Sequence, residues 1–223
     1  MSFNRTIGVL CRSVALLLCM LSPIAIAAQG TAAEEPEYAE EVFLDMEFDA
    51  NIATPHVADD IKPEIRRYVK SVAESHKKDF TIDLMRNGEV MVVTFLTDDL
   101  FLPNDTILMS TASKQLNKIL PLVKDPMMYK LVFAVHTDDT GSDLYCDRLS
   151  TARLNSVYDW LLDAIDRGAI EEDLVIVPYS MAASDPLIDN DTREHRRQNR
   201  RVEFFLIPGP KMMQRAKNKT LNR

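Results

Sequence analysis

Apolar positions recur with two periods along this chain, and the changes of period mark its elements. Between residues 59 and 78, Ile61, Ile65, Tyr68, Val69 and Val72 fall at helical spacing, and Pro63 is tolerable in a first turn. Residues 81–85 and 90–96 then read as strands around Asn87-Gly88, a pair favoured in tight hairpins because both positions need positive φ. A second helix is predicted over residues 110–124, with Leu108, Ala112, Leu116, Ile119, Leu120 and Val123 marking its apolar face. Residues 130–135 read as a buried strand, Lys130 followed by five apolar residues, and lead into the polar loop 136–141. A third helix is predicted to start at an N-cap Ser150, carry Leu154, Val157, Tyr158, Leu161, Leu162 and Ile165, and stop at Gly168. Residues 174–179 and 202–207 read as further strands, separated by an Arg-rich loop or short helix at 189–199. Residues 42–48 alternate enough to predict one more short strand. This order implies an α/β sandwich: a mixed β-sheet with helices packed on it, made mixed by the hairpin.

The N-terminus follows a different pattern. Arg5 and Arg12 flank the start of a short apolar stretch at residues 14–20, and Ala25-Ile26-Ala27 has the small-x-small form of a cleavage site. The stretch is short and followed by Pro23, which favours a cleaved export signal over a retained membrane helix. Cys11 and Cys19 would leave with it, so Cys146 alone remains and an internal disulfide is excluded. The bulky Leu18 before Cys19 argues against lipid attachment there. Removing residues 1–28 takes 26 basic residues to 24 against 34 acids, so the net charge goes from −8 to −10. That balance, with export, argues against a nucleic-acid partner despite the cluster Arg193, Arg196, Arg197, Arg200 and Arg201. The charge is uneven: residues 34–49 hold eight acids and no Lys or Arg, whereas residues 211–223 hold Lys211, Arg215, Lys217, Lys219 and Arg223 and no acid. The basic stretch reads as a disordered tail or a contact for anionic headgroups.

Two residues carry candidate binding chemistry. Asp138 lies just past the buried strand, and Arg153 falls in the first turn of a helix starting at Ser150. Facing one pocket, they would complement a zwitterion, the carboxylate taking an ammonium and the guanidinium a carboxylate, with the helix N-terminus favouring the anion. An internal Asp138–Arg153 salt bridge fits the same spacing. His136 with Asp138 and Asp139 lacks a second ligand cluster for a metal, and no nucleophile-elbow pattern surrounds Ser142 or Ser150. No cofactor, metal or catalytic residue is therefore assigned.

The stretches His136-Thr137-Asp138-Asp139-Thr140-Gly141-Ser142, Leu149-Ser150-Thr151-Ala152-Arg153, Asn190-Asp191-Thr192 and Asn199-Arg200-Arg201-Val202-Glu203 resemble, in order and spacing, the OmpA C-terminal-domain family. Phe101 followed by Asn104 is similar to the family's loop after its first strand, and the resemblance covers residues 80–207. It implies non-covalent binding of peptidoglycan through the diaminopimelate of the stem peptide, with Asp138 and Arg153 as central contacts and Asn104, Thr140 and Arg200 lining the same pocket. It also implies a periplasmic, outer-membrane-associated protein that is not an enzyme, with an outer-membrane or other envelope protein as a further partner. The chain departs from the family at Cys146, where Asn is common, at Val135, at Pro178-Tyr179-Ser180 and at His195. The expected organisation is a signal peptide at 1–28, an acidic linker at 29–40, a strand-and-helix extension at 41–79, the OmpA-like domain at 80–208 and a basic tail at 209–223. Two other functions fit these features. One is a cell-wall hydrolase using His136, Asp138 and Asp139. The other is an envelope assembly module with a vestigial pocket, in which the helix at 59–78 docks a partner.

Overall fold

The computed structural model describes Tyr38 and residues 40–221. The expected signal peptide, Cys11, Cys19 and nearly all of the expected linker lie outside the described residues. Among the described residues, no helix is long and apolar enough to cross a membrane.

Five strands form one mixed sheet: β1 (Thr81–Met85), β2 (Val90–Leu96), β3 (Tyr129–His136), β4 (Ile176–Ala182) and β5 (Arg201–Pro208). Their order across the sheet is β1-β2-β5-β3-β4, and only the β3–β4 pair is parallel. β3 and β5 are central, and all eight residues of each are buried, which is why both read as mostly apolar runs interrupted only by Lys130, His136, Arg201 and Glu203. At the β1–β2 turn Asn87 and Gly88 have φ of 56° and 95°, as Asn-Gly predicts, and Arg86 joins them at 52°.

One face of the sheet is covered by four helices, the third to the sixth along the chain. α3 (Lys62–His76) turns Ile65, Val69 and Ala73 inward at four-residue spacing. The helix predicted over residues 110–124 is two short helices, α4 (Ala112–Leu116) and α5 (Leu120–Val123), joined through a tighter turn ahead of Pro121. With α6 (Asp143–Asp166) they enclose Val93, Phe95, Leu131, Phe133, Phe204 and Leu206.

Three expectations are corrected. Residues 42–48 are not a strand: α1 (Glu40–Leu44) and α2 (Phe48–Ala53) cross the opposite face of the sheet, laying Phe43 and Ile52 on Val132, Ala134 and Phe205. The apparent alternation misled because Val42 and Leu44 face solvent while Phe43 between them is buried. Ser150 is not the cap of α6. The helix starts at Asp143, with Ser142 Oγ accepting from the Tyr145 N–H, and Ser150 is buried with its Oγ 2.6 Å from that of Ser180. Finally, the basic segment is ordered. Pro210 opens α8 (Pro210–Lys217), whose Met212 and Ala216 join the main core along with Leu221.

Candidate functional site

The sheet topology delivers one end of several strands to the same place. β3 and β4 run parallel while β2 and β3 are each antiparallel to β5, so the ends of β2, β3 and β4 meet the start of β5. Leu96 pairs with Arg201, and the Thr97 N–H donates to the Arg200 carbonyl, setting Asp98 beside Arg200. Past β3, the Thr137 N–H donates to the Ala182 carbonyl and fixes the strand's exit, and Asp138 follows. α6 begins five residues later and passes its first turns over this end. A cleft of about 330 Å³ results, lined among others by Asp98, Asn104, Asp138, Tyr145, Arg153 and Arg200.

All five sequence-predicted residues line it: Asp138, Arg153, Asn104, Thr140 and Arg200. Asp138 is buried. Its Oδ1 accepts from the Thr140 N–H at 2.8 Å and its Oδ2 from Arg200 Nη1 at 2.7 Å. Burial alone would raise its pKa, but the Arg200 and Thr140 hydrogen bonds outweigh that and hold the carboxyl below its ordinary value. Arg200 is gripped from the other side by Asp98, Nε at 3.2 Å and Nη2 at 3.1 Å, a bidentate pair. Burial lowers the Arg200 pKa, and the two acids more than compensate and raise it.

Arg153 is not paired with Asp138. Nor is it in the first turn of α6, so the expected help from a helix N-terminus does not apply to it. It is 3% exposed, and among the described residues no carboxylate bridges to it. Its Nε donates to the Asp105 carbonyl at 2.9 Å, its guanidinium lies 5.2 Å from the centre of the Phe101 ring, and its buried Nη1 has no partner. Burial pulls its pKa down. Arg153 therefore lines the cleft with a buried, carboxylate-free guanidinium, and a buried charge is costly unless something bonds to it.

The loop carrying Asn104 is held against α6. Besides the Arg153–Asp105 bond, Ser156 Oγ donates to the Thr106 carbonyl, and the Tyr145 hydroxyl donates to Asn104 Oδ1 at 3.1 Å. Asn104 has φ of 60°, a conformation asparagine tolerates better than most residues. Cys146 is buried, with Sγ 3.5 Å from the Asp138 carbonyl. It lines the cleft and also ties the loop, with Sγ 3.8 Å from the Thr140 carbonyl.

The other departures are absorbed elsewhere. Val135 is fully buried, the Tyr179 hydroxyl donates to the Met46 carbonyl, and His195 sits 2.5 Å from Asp191 on α7 (Arg193–Asn199). His136 is also fully buried, with Nε2 3.0 Å from Glu203 Oε2, and it does not line the cleft. Among the described residues no group of three or more His, Cys, Asp or Glu could hold a metal ion.

Sequence reasoning missed Asp98 and Tyr145 as cleft residues and placed Arg193 and Arg196 in a basic cluster without assigning them to the site. Arg196 Nη1 donates to the Asn190 carbonyl at 2.6 Å, and both arginines stand at the cleft. The strand end at Leu96 and the polar run after it were the available signal for Asp98. Nothing in the linear sequence brings Tyr145 to Asn104.

No family model matches the chain, and no curated protein matches it. Solved structures do. A protein from Desulfovibrio vulgaris described as MotB-like superposes with a TM-score of 0.57 at 20% identity, over 66% of this chain and 93% of that one. The cell wall anchor of the T6SS from Pseudomonas aeruginosa gives 0.47 at 19% identity, over 66% and 99%. The OmpA-like domain of FopA1 from Francisella tularensis gives 0.42 at 18%, over 59% and 82%. The α/β fold, a mixed five-stranded sheet with helices packed on it, is shared with the MotB-like protein.

Proposed function

We infer that the cleft binds peptidoglycan non-covalently, taking the zwitterionic end of diaminopimelate in the stem peptide. The carrying observation is Arg153: a buried guanidinium with an unpartnered Nη1 in the same cleft as a hydrogen-bonded, ionised Asp138. A ligand carboxylate on Arg153 supplies the missing partner. A ligand ammonium finds Asp138 with only some of its acceptor sites used by Thr140 and Arg200. Asn104 and Thr140 close the sides, and the resemblance to OmpA-like domains gives the ligand its name.

The role that follows is a periplasmic tether between the cell wall and the outer membrane or an envelope complex, without catalysis. Many copies on one sacculus would add avidity to a modest single-site affinity. The burial of His136 away from the cleft weighs against a hydrolase built on it. The apolar face of α3 is spent in the chain's own core, which weighs against its use as a docking helix.

Co-sedimentation with diaminopimelate-type sacculi tests this reading. Wild type should pellet without releasing soluble muropeptides, and folded Asp138→Ala and Arg153→Ala should stay in the supernatant. All three proteins pelleting alike, or all staying soluble, would remove the cleft from wall binding, and released muropeptides would move the protein to the enzymes.

A further inference from the structure

The cleft carries more positive charge than a zwitterion needs. Four guanidiniums line it, Arg153, Arg193, Arg196 and Arg200, against two carboxylates, Asp98 and Asp138. Both carboxylates bond to one of the four, Arg200. Asp98 has a further, looser contact at 3.5 Å with Arg197, which also faces Glu194 and stands outside the lining. His195 takes Asp191. Of the remaining three guanidiniums, Arg153 has no carboxylate, Arg196 has only the Asn190 carbonyl, and Arg193 is exposed with no partner among the described residues. One ammonium-carboxylate pair would occupy Asp138 and Arg153 and leave the surplus of two positive charges untouched.

A ligand that matches the cleft therefore carries additional negative charge near its zwitterion. A diaminopimelate stem has such a group by its chemistry: the glutamate joined to diaminopimelate through its side chain keeps a free α-carboxylate, unless the wall is amidated there. We propose that Arg193 and Arg196 form a second carboxylate site beside Asp138 and Arg153 and select stem peptides whose glutamate α-carboxylate is free. This rests on the wall-binding reading of the cleft. Arg196, held by the Asn190 carbonyl, is the fixed member of the pair, and Arg193, at the start of α7, is the adaptable one. The guanidinium suits the task because its planar fork meets a carboxylate with two donors. Position on the rim limits the gain, since an exposed pair is worth at most about a kilocalorie, a factor of roughly five in affinity.

The test is calorimetric titration of the full chain with two synthetic tripeptides, L-Ala-γ-D-Glu-meso-diaminopimelate and the same peptide with the glutamate α-carboxylate amidated. Wild type should bind the free acid about 5-fold more tightly than the amide. Arg193→Gln should reduce the preference to about 2-fold, the share left to Arg196, and Arg193→Lys, which keeps the charge, should retain most of it. Arg193 has no partner in the fold to lose, so the variants should melt with wild type. Equal affinities in wild type, or an undiminished preference in Arg193→Gln, would overturn the second site while leaving wall binding intact. Failure of wild type to bind either peptide would instead overturn the reading of the cleft, and the second site with it.

Discussion

Replacing Arg153 with Met should abolish wall binding without destabilising the protein. Arg153 is buried with one hydrogen bond, to the Asp105 carbonyl, and one ring contact, to Phe101. The charged hydrogen bond is worth about 1.5–3 kcal/mol and the ring contact about 0.5–2 kcal/mol. Against them stands the desolvation of a guanidinium with no carboxylate partner, an effective penalty of several kcal/mol. Met keeps an unbranched apolar stem over Phe101 and removes the charge. Asp105 is only half-buried, so water can take over its carbonyl. The terms nearly cancel, with a balance from neutral to about 2 kcal/mol stabilising. For a domain of this size that is a rise in Tm of up to about 4–8 °C. Scanning calorimetry of the ligand-free protein measures it, paired with sacculus pelleting, which should be lost. A variant destabilised by about 2 kcal/mol or more would show that Arg153 is a structural strut, and its unpartnered Nη1 would cease to argue for a ligand.

Lys130 makes a pH-dependent prediction. It is fully buried on the face of the sheet crossed by α1 and α2, its Nζ bonding to the Asn51 carbonyl and side-chain oxygens and lying over the Phe43 ring. Burial, with the Arg86 charge adding to it, pushes its pKa down to about 7 from 10.5. Between those values the unfolded chain holds the proton more tightly, so stability should rise with pH, by about 2 kcal/mol from pH 7 to 9. Denaturant unfolding should show this rise in wild type and not in Lys130→Met, and parallel pH profiles would contradict it. Gly141 has φ of 114°, and a Cβ there would come within 2.8 Å of the Tyr145 ring. Gly141→Ala should therefore cost about 1–3 kcal/mol in unfolding and displace Tyr145 from Asn104, weakening wall binding. A Cβ on Gly209 would meet the Met127 carbonyl oxygen at 2.4 Å, so Gly209→Ala should detach α8 and lower Tm by several degrees, measured by thermal melting. Ser142→Ala should cost about 1 kcal/mol in chemical unfolding as the loss of the α6 cap, a cost the former assignment would have placed at Ser150.

The parts of the fold legible in the sequence were those where one face decides the pattern. β3 and β5 sit mid-sheet with every residue buried, and α3 turns a regular apolar stripe inward. The start of α6 was hidden because the buried stripe of its first turns is Cys146, Ser150 and Arg153, two of them at the cleft and one bonded to Ser180, rather than apolar core residues. The helix in the basic segment was hidden because two buried side chains, Met212 and Ala216, are outnumbered by surface cations. Of the site, the sequence put Asp138 and Arg153 in one pocket, and both line the cleft, but the ion pair Asp138 makes is with Arg200, 62 residues away. That contact depends on the pairing of β3 with β5, which no local spacing reveals.

The most direct measurement is a crystal structure of the protein with L-Ala-γ-D-Glu-meso-diaminopimelate. A ligand carboxylate within hydrogen-bonding distance of Arg153 Nη1, with the neighbouring ammonium on the Asp138 carboxylate, is the predicted result. The peptide bound with Arg153 Nη1 still unpartnered, or seated away from Asp138, would contradict the account.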